Sequence, residues 1–289
     1  LLIADWRRYA GDPEVEVEKW LVTGAPLGII ERQVDCGIFP TYSDLEAARK
    51  VDTLSSEPWR DGKASRADKD QDAVDEMEAM VSRRWLRKYK SKFQAKKAVR
   101  GKLVLSELIV VSKTKLKKVK NKITKKVKKR MILNLKKSGV TSVSVKSERP
   151  ELPRMLDVVF SNLELLRKRR GQRLRHLVLD FAHAFFSFPN QEKERRYFAA
   201  RLRDYIYVWW RTTQGSRGAP LICGRCLGLA MRLALVAVPE DAANASTYVD
   251  DPIISAVGEK EAQNVHFGII IACLLAMGYE LSFAKAEGS

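Results

Sequence analysis

Tyr248-Val249-Asp250-Asp251 places two carboxylates side by side between two β-prone runs, Ser246 to Val249 and Pro252 to Val257. The pattern predicts a tight hairpin with the acids at its tip. Adjacent acids repel, so a fold that presents them together does so to hold a divalent cation. A third carboxylate, Asp180, ends the apolar run Leu177-Val178-Leu179. One acid closing a strand and two on a hairpin make the ligand set that two-metal phosphoryl transfer needs.

Those acids need elements to hold them. Residues 174–289 read as strand Leu174 to Asp180, a short helix or turn Gln191 to Arg196, a hairpin of Tyr197–Leu202 and Tyr205–Arg211, and helix Ala219 to Val238. The acidic hairpin, helix Glu259 to Met277 and a closing strand Tyr279 to Phe283 follow, an α+β order. Upstream, Pro153 to Arg170 predicts a helix, with Pro near its start and bases at its end. In residues 73–173 a helix is expected over Ala73 to Arg100 and a strand over Leu103 to Val111. From Lys113 to Lys137, 13 of 25 residues are Lys or Arg and none is acidic. Val119, Ile123, Val127, Met131 and Leu135 recur every four residues, which favours a helix, whereas Met131 to Leu135 alone equally fits a buried strand. Residues 1–72 carry Gly and Pro punctuation at Gly24 to Gly28 and Gly37 to Pro40, predicting turns and extended segments, with a polar linker over 55–72.

The chain has 289 residues, 45% of them hydrophobic, enough for a sizeable core. A net charge of +18 and a pI near 9.8 favour a polyanionic partner, most often nucleic acid. No apolar run approaches the ~18 residues of a membrane span, so no membrane association is expected. Four scattered cysteines exclude a disulfide framework, and Cys223-Gly-Arg-Cys226 without a second ligand pair reads as small residues in a helix.

Four local patterns line up in order: Asp180-Phe-Ala-His-Ala-Phe185-Phe186, Gln214-Gly215-Ser-Arg-Gly-Ala-Pro220, Tyr248-Val-Asp250-Asp251, and Gly278-Tyr-Glu-Leu-Ser-Phe-Ala-Lys285. Together, over about residues 103 to 289, they resemble a reverse transcriptase, in the manner of retrotransposon polymerases. The resemblance implies a right-hand polymerase with fingers and palm, the palm sheet carrying the acidic hairpin against helices. It implies an RNA/DNA template-primer and deoxynucleoside triphosphates as partners and Mg²⁺ (or Mn²⁺) as cofactor. Asp180 and Asp250 match the two metal-binding aspartates and Asp251 is their neighbour. One metal would activate the primer 3′-hydroxyl and the other steady the pyrophosphate. Phe185 matches the aromatic gate that would clash with a ribose 2′-hydroxyl, although Phe185 or Phe186 could be plain core. Gln214 and Gly215 match the loop that touches nucleotide and template, and Lys285 the lysine beside the leaving pyrophosphate. Lys129 to Lys136 resembles the second strand of the fingers hairpin, where Arg130 would clamp the triphosphate with Lys122, Lys125 or Lys126.

Asn134 and Lys136 depart from the family's usual Asp and Arg. A decayed palm that only grips nucleic acid, and an RNA-directed RNA polymerase, are the competing readings. The intact aspartates count against the first and Phe185 against the second. A chain that begins at Leu1 and stops at Ser289 is expected to be a piece of a longer polyprotein with the thumb missing. An intracellular setting is expected, and the oligomeric state stays open.

Overall fold

In the computed structural model, which describes residues 2–41, 54, 66–119, 122–283 and 287–288, the architecture is organised around one helix. This helix, Ala219–Val236, starts on Pro220, whose fixed φ suits the first turn. Twelve of its eighteen residues are buried, among them Leu221, Ile222, Leu227, Leu229 and Leu233. Its length and apolar character would also suit a membrane span, which the sequence reading passed over, but 67% of it is buried inside the protein.

In chain order the elements are α1 (Leu2–Ala10), α2 (Glu16–Thr23), α3 (Gln71–Ser82), β1 (Leu86–Tyr89), α4 (Lys92–Ala98), β2 (Glu107–Val119), β3 (Lys122–Asn134) and α5 (Val140–Val143). Next come α6 (Met155–Lys168), β4 (Leu174–Val178), β5 (Ala199–Leu202), β6 (Tyr205–Trp209) and α7, the central helix. The chain closes with β7 (Ala243–Tyr248), β8 (Asp251–Val257), α8 (Lys260–Ala276) and β9 (Glu287–Gly288). Strands β7-β8-β4-β9 form an antiparallel sheet, with Leu177 opposite Ile254 and Ser246 opposite Ile253. A second sheet has the order β1-β6-β5, and β2 and β3 make a separate two-stranded ribbon.

The sequence reading departs from this in four places. Where turns and extended segments were expected, residues 2–23 form α1 and α2. The helix expected over 73–100 is two helices separated by β1. Arg84 takes a left-handed φ of 60°, and Trp85 N–H and Arg84 N–H donate to Met80 O (3.1 Å) and Val81 O (2.9 Å), the paired bonds that end a helix. The lysine-rich run is strand, not helix. Four is an even number, so apolar residues spaced by four share one face of a strand as well as one face of a helix. Met131, Leu133 and Leu135 accordingly point into the core, with Leu133 opposite Leu108. The closing strand at 279–283 reduces to one bridge, Phe181 to Leu281.

One hydrophobic core runs from Ile3 to Tyr279, drawing on residues from all three expected segments, 1–72, 73–173 and 174–289. A smaller cluster, including Ala95, Val99, Ile206 and Val208, lies under α4. The N-terminal residues are tied to α7 by buried charge. Arg225 donates to both Glu14 oxygens (2.7 and 2.6 Å) and to Glu148 (3.4 Å), and stacks 4.4 Å over Trp20. Arg232 meets Asp12 at 2.5 Å. Buried Glu194 accepts the backbone N–H groups of Leu27, Ile29, Ile30 and Glu31. Burial raises its carboxyl above the ordinary range, against the pull of those donors.

Candidate active site

Val249 and Asp250 are the two central residues of the β7–β8 hairpin, closed by the pair Tyr248 and Asp251. Val249 has φ 59°, a left-handed value that costs a β-branched residue of the order of 1–3 kcal/mol. Positive φ at the first central position alone is the pattern of a hairpin turn that favours Gly there. The surroundings enforce it. Leu179 N–H donates to Pro252 O (3.0 Å) and Phe181 N–H to Asp250 O (2.9 Å), so the chain beyond β4 is laced to the turn on both sides of Asp180. Ser282 N–H donates to Asp180 O at 2.8 Å. Below, Phe181 meets Tyr279 edge to face at 5.4 Å, and Tyr279 Oη donates to Cys226 O.

A cleft of about 290 Å³ opens over this junction. Asp180, Asp250, Arg130, Phe185 and Gln214 all line it. Asp180 is 8% exposed. Phe185 rides on a 3-10 helix, Ala184–Ser187, entered through His183 at φ 57°. Trp85 stacks on Phe186 with ring centroids 4.5 Å apart, and Arg83 Nη1 lies 3.2 Å from His183 Nε2. Arg130 stands opposite Val111 on the ribbon and is exposed. Gly215 does not line the cleft but fixes its wall. At φ 98°, with Leu133 O 2.5 Å from where a Cβ would sit, only glycine lets this loop lie against β3.

Besides Gly215, one described site residue predicted from the sequence stands apart. Asp251 begins β8, is exposed and does not line the cleft. Lys285 falls outside the described residues, as do the side chains of Lys122, Lys125 and Lys126. Three lining residues were missed by sequence reasoning: Glu76 and Met80 on α3, and Lys129 on β3. Lys129 bridges Asp70 and Asp72 at 2.8 and 2.7 Å, and those bonds raise its pKa and, from the other side, lower that of Asp70. Only the tertiary approach of α3 to β3 reveals these residues; the acid-rich start of α3 opposite a basic strand was the one available signal.

Among the described residues no group of three or more His, Cys, Asp or Glu is placed to hold a metal ion. Asp180 and Asp250 nonetheless supply two hard oxygen donors to one cleft, the donor type that Mg²⁺ shares with substrate phosphates. The cysteines behind the turn are held as neutral thiols. Burial, with Asp250 adding to it, pushes the Cys223 thiol up to about 12, and burial holds the Cys226 thiol well above its ordinary range.

No curated protein matches this chain. The crystal structure of Prototype Foamy Virus Protease-Reverse Transcriptase is similar to it with a TM-score of 0.53 at 16% identity, a likeness of fold alone. The match covers 98% of this chain and 31% of that one, so this chain spans about a third of that protein's length. The family model described as reverse transcriptase (RNA-dependent DNA polymerase) matches residues 107–289, the stretch holding the ribbon strands, Asp180 and the acidic hairpin. Proteins of this family are nucleotidyltransferases that bind template-primer and nucleotide and generally use divalent metal ions. With well over half its length matched, the chain belongs to the reverse transcriptase (RNA-dependent DNA polymerase) family.

Proposed function

We propose that the cleft carries out template-directed DNA synthesis from deoxynucleoside triphosphates by two-metal nucleotidyl transfer. The observation that supports this reading is the convergence of Asp180, Asp250, Arg130, Phe185 and Gln214, drawn from four separate chain segments, on one cleft. Asp180 and Asp250 are the residues that would hold Mg²⁺ (or Mn²⁺). Bound there, the ions would activate the primer 3′-hydroxyl and neutralise the leaving pyrophosphate. The chain's own part is positioning and charge. Arg130 offers its planar fork to the triphosphate. Phe185 closes the space a 2′-hydroxyl would need. Gln214 meets the incoming nucleotide, on a loop that Gly215 presses against β3. Lys285 is assigned to the pyrophosphate by the family pattern.

A second reading, a palm that grips nucleic acid without catalysis, draws on one observation: Asp251 stands outside the cleft. Primer extension on an RNA template decides between them. The unaltered chain is expected to extend with deoxynucleotides, and Asp250→Asn to bind template-primer normally while failing to extend it. Binding without extension by the unaltered chain favours the second reading. Equal extension by the variant removes the metal assignment.

A further inference from the structure

A second concentration of positive charge lies away from the lysine-rich ribbon. From Arg87 to Arg100 seven of fourteen residues are Lys or Arg and none is acidic. β1 and α4 carry this run, and β1 pairs with β6, which delivers Trp210. The guanidinium of Arg87 stacks 3.4 Å from the Trp210 ring centroid and that of Arg195 stacks at 4.0 Å. Arg211 follows in sequence and donates to Ser187 O (2.7 Å), at the end of the 3-10 helix that bears Phe185. Burial depresses the pKa of both Arg195 and Arg211, which are each about half buried. Among the described residues neither they nor Arg87, Lys90, Lys96 or Lys97 form an ion pair. Within the run Lys88 pairs with Glu78 at 2.7 Å and Arg100 faces Glu192 at 3.9 Å, and Glu192 also acts on Arg195 through space.

A guanidinium stacked on an aromatic ring spends its flat face on the ring and keeps its N–H edge for another acceptor. Arg195, half-buried and stacked this way, spends its Nε on Asn190 O (3.0 Å) and forms no ion pair among the described residues, which leaves its outer N–H groups poised for an external anion, as are those of exposed Arg87. Phe93, on the same basic helix, is 76% exposed. A bare aromatic among cations is what an unpaired base stacks on, and neither a duplex nor an acidic peptide needs it.

We propose that Arg87, Arg195 and Arg211 around Trp210, with Phe93, Lys96 and Lys97 of α4, form a second nucleic-acid site, outside the catalytic cleft, that binds single-stranded RNA or DNA by its phosphodiester backbone. The site is one of binding, and it stands whether or not the cleft catalyses.

The test is fluorescence anisotropy with labelled oligo(U) over a range of salt concentrations, using the whole chain. The triple variant Arg87→Gln, Lys96→Gln, Lys97→Gln removes three exposed cations and keeps the buried ones. Its affinity is expected to fall at least about tenfold at low salt, and its salt slope to flatten by about 2, near 0.7 per phosphate contact. Phe93→Ala is expected to weaken binding by about fivefold or more, the cost of one stacked base. Asp250→Asn is expected to leave this binding unchanged, so this proposal and the polymerase reading fail separately. Parental affinity and slope in the triple variant would overturn it. So would an equal loss when Arg8, Lys19 and Lys260, on α1, α2 and α8, are changed to Gln instead, since net charge alone would then suffice. Displacement of oligo(U) by polyglutamate as readily as by unlabelled oligo(U) would reassign the surface to an acidic protein partner.

Discussion

Trp85 lies flat on Phe186, with ring centroids 4.5 Å apart and planes within 3° of parallel. Trp85 sits just beyond the left-handed end of α3, so a helix terminus outside the family match braces the 3-10 helix that carries Phe185. If Phe185 is the proposed gate, sugar selection would depend on two layers of ring. Phe185→Ala is expected to raise ribonucleotide incorporation relative to deoxynucleotide by about 10- to 200-fold, the range for filling or opening one small pocket. Trp85→Ala is expected to move the same ratio in the same direction by less, mainly through KM. Steady-state incorporation of paired ribo- and deoxynucleotides checks both, and an unchanged ratio in Phe185→Ala removes the gate.

The two neighbouring aspartates of the hairpin are predicted to behave differently. Asp250 lines the cleft and Asp251 starts the outgoing strand. Asp250→Asn is expected to cost at least about a hundredfold in kcat, as for loss of a preorganised charge in a reaction site. Asp251→Asn is expected to stay within about tenfold of the parent. Single-turnover extension compares them, and equal losses would mean that the turn closes differently around substrate.

Gly215→Ala tests the contact between the Gln214 loop and β3. A methyl group there meets Leu133 O at 2.5 Å, and the backbone already sits at φ 98°. Urea unfolding is expected to show a loss of about 1–3 kcal/mol, the usual strain of such a position. Extension should fall further than stability does, because Gln214 moves with the loop.

Asp12 gives a pH dependence. Burial works to raise its pKa, but Arg232 and the Glu14 N–H outweigh that and hold it below 3.8. The unfolded chain thus binds its proton more readily than the folded one. The stabilisation is complete above 3.8 and is lost as pH falls through the lowered folded value. Asp12→Asn is expected to lower stability at neutral pH and to flatten the acid side of a stability curve measured by chemical unfolding.

Much of the fold was legible where local pattern and tertiary demand agree. α7, α8, the β5–β6 hairpin and the acidic hairpin all carry their own period or turn signal. The break at Arg83 and Arg84 was not legible, because a left-handed arginine ends α3 where glycine would have announced it. The ribbon was ambiguous because a repeat of four satisfies both a helix and a strand. α1 and α2 were hidden behind the Gly and Pro punctuation that follows them. At the site, the motifs named Asp180, Asp250, Arg130, Phe185 and Gln214, which line one cleft. Glu76, Met80 and Trp85 were invisible because they lie in no motif and reach the cleft, or in the case of Trp85 brace it through Phe186, only through packing, and Lys129 lay in the fingers pattern without a role of its own.

The family match begins at residue 107, but the counter-ions of the central helix do not. Arg225 and Arg232 rely on Glu14 and Asp12, and Arg225 is 2% exposed. A fragment cut at the match boundary would keep every polymerase motif but would remove Asp12 from Arg232 and leave buried Arg225 with Glu148 alone at 3.4 Å, and a broken buried pair costs about 3–5 kcal/mol. The segment that carries the family signature is therefore shorter than the segment that supplies its counter-ions, and a fragment of residues 107–289 is expected to unfold at lower urea than the whole chain.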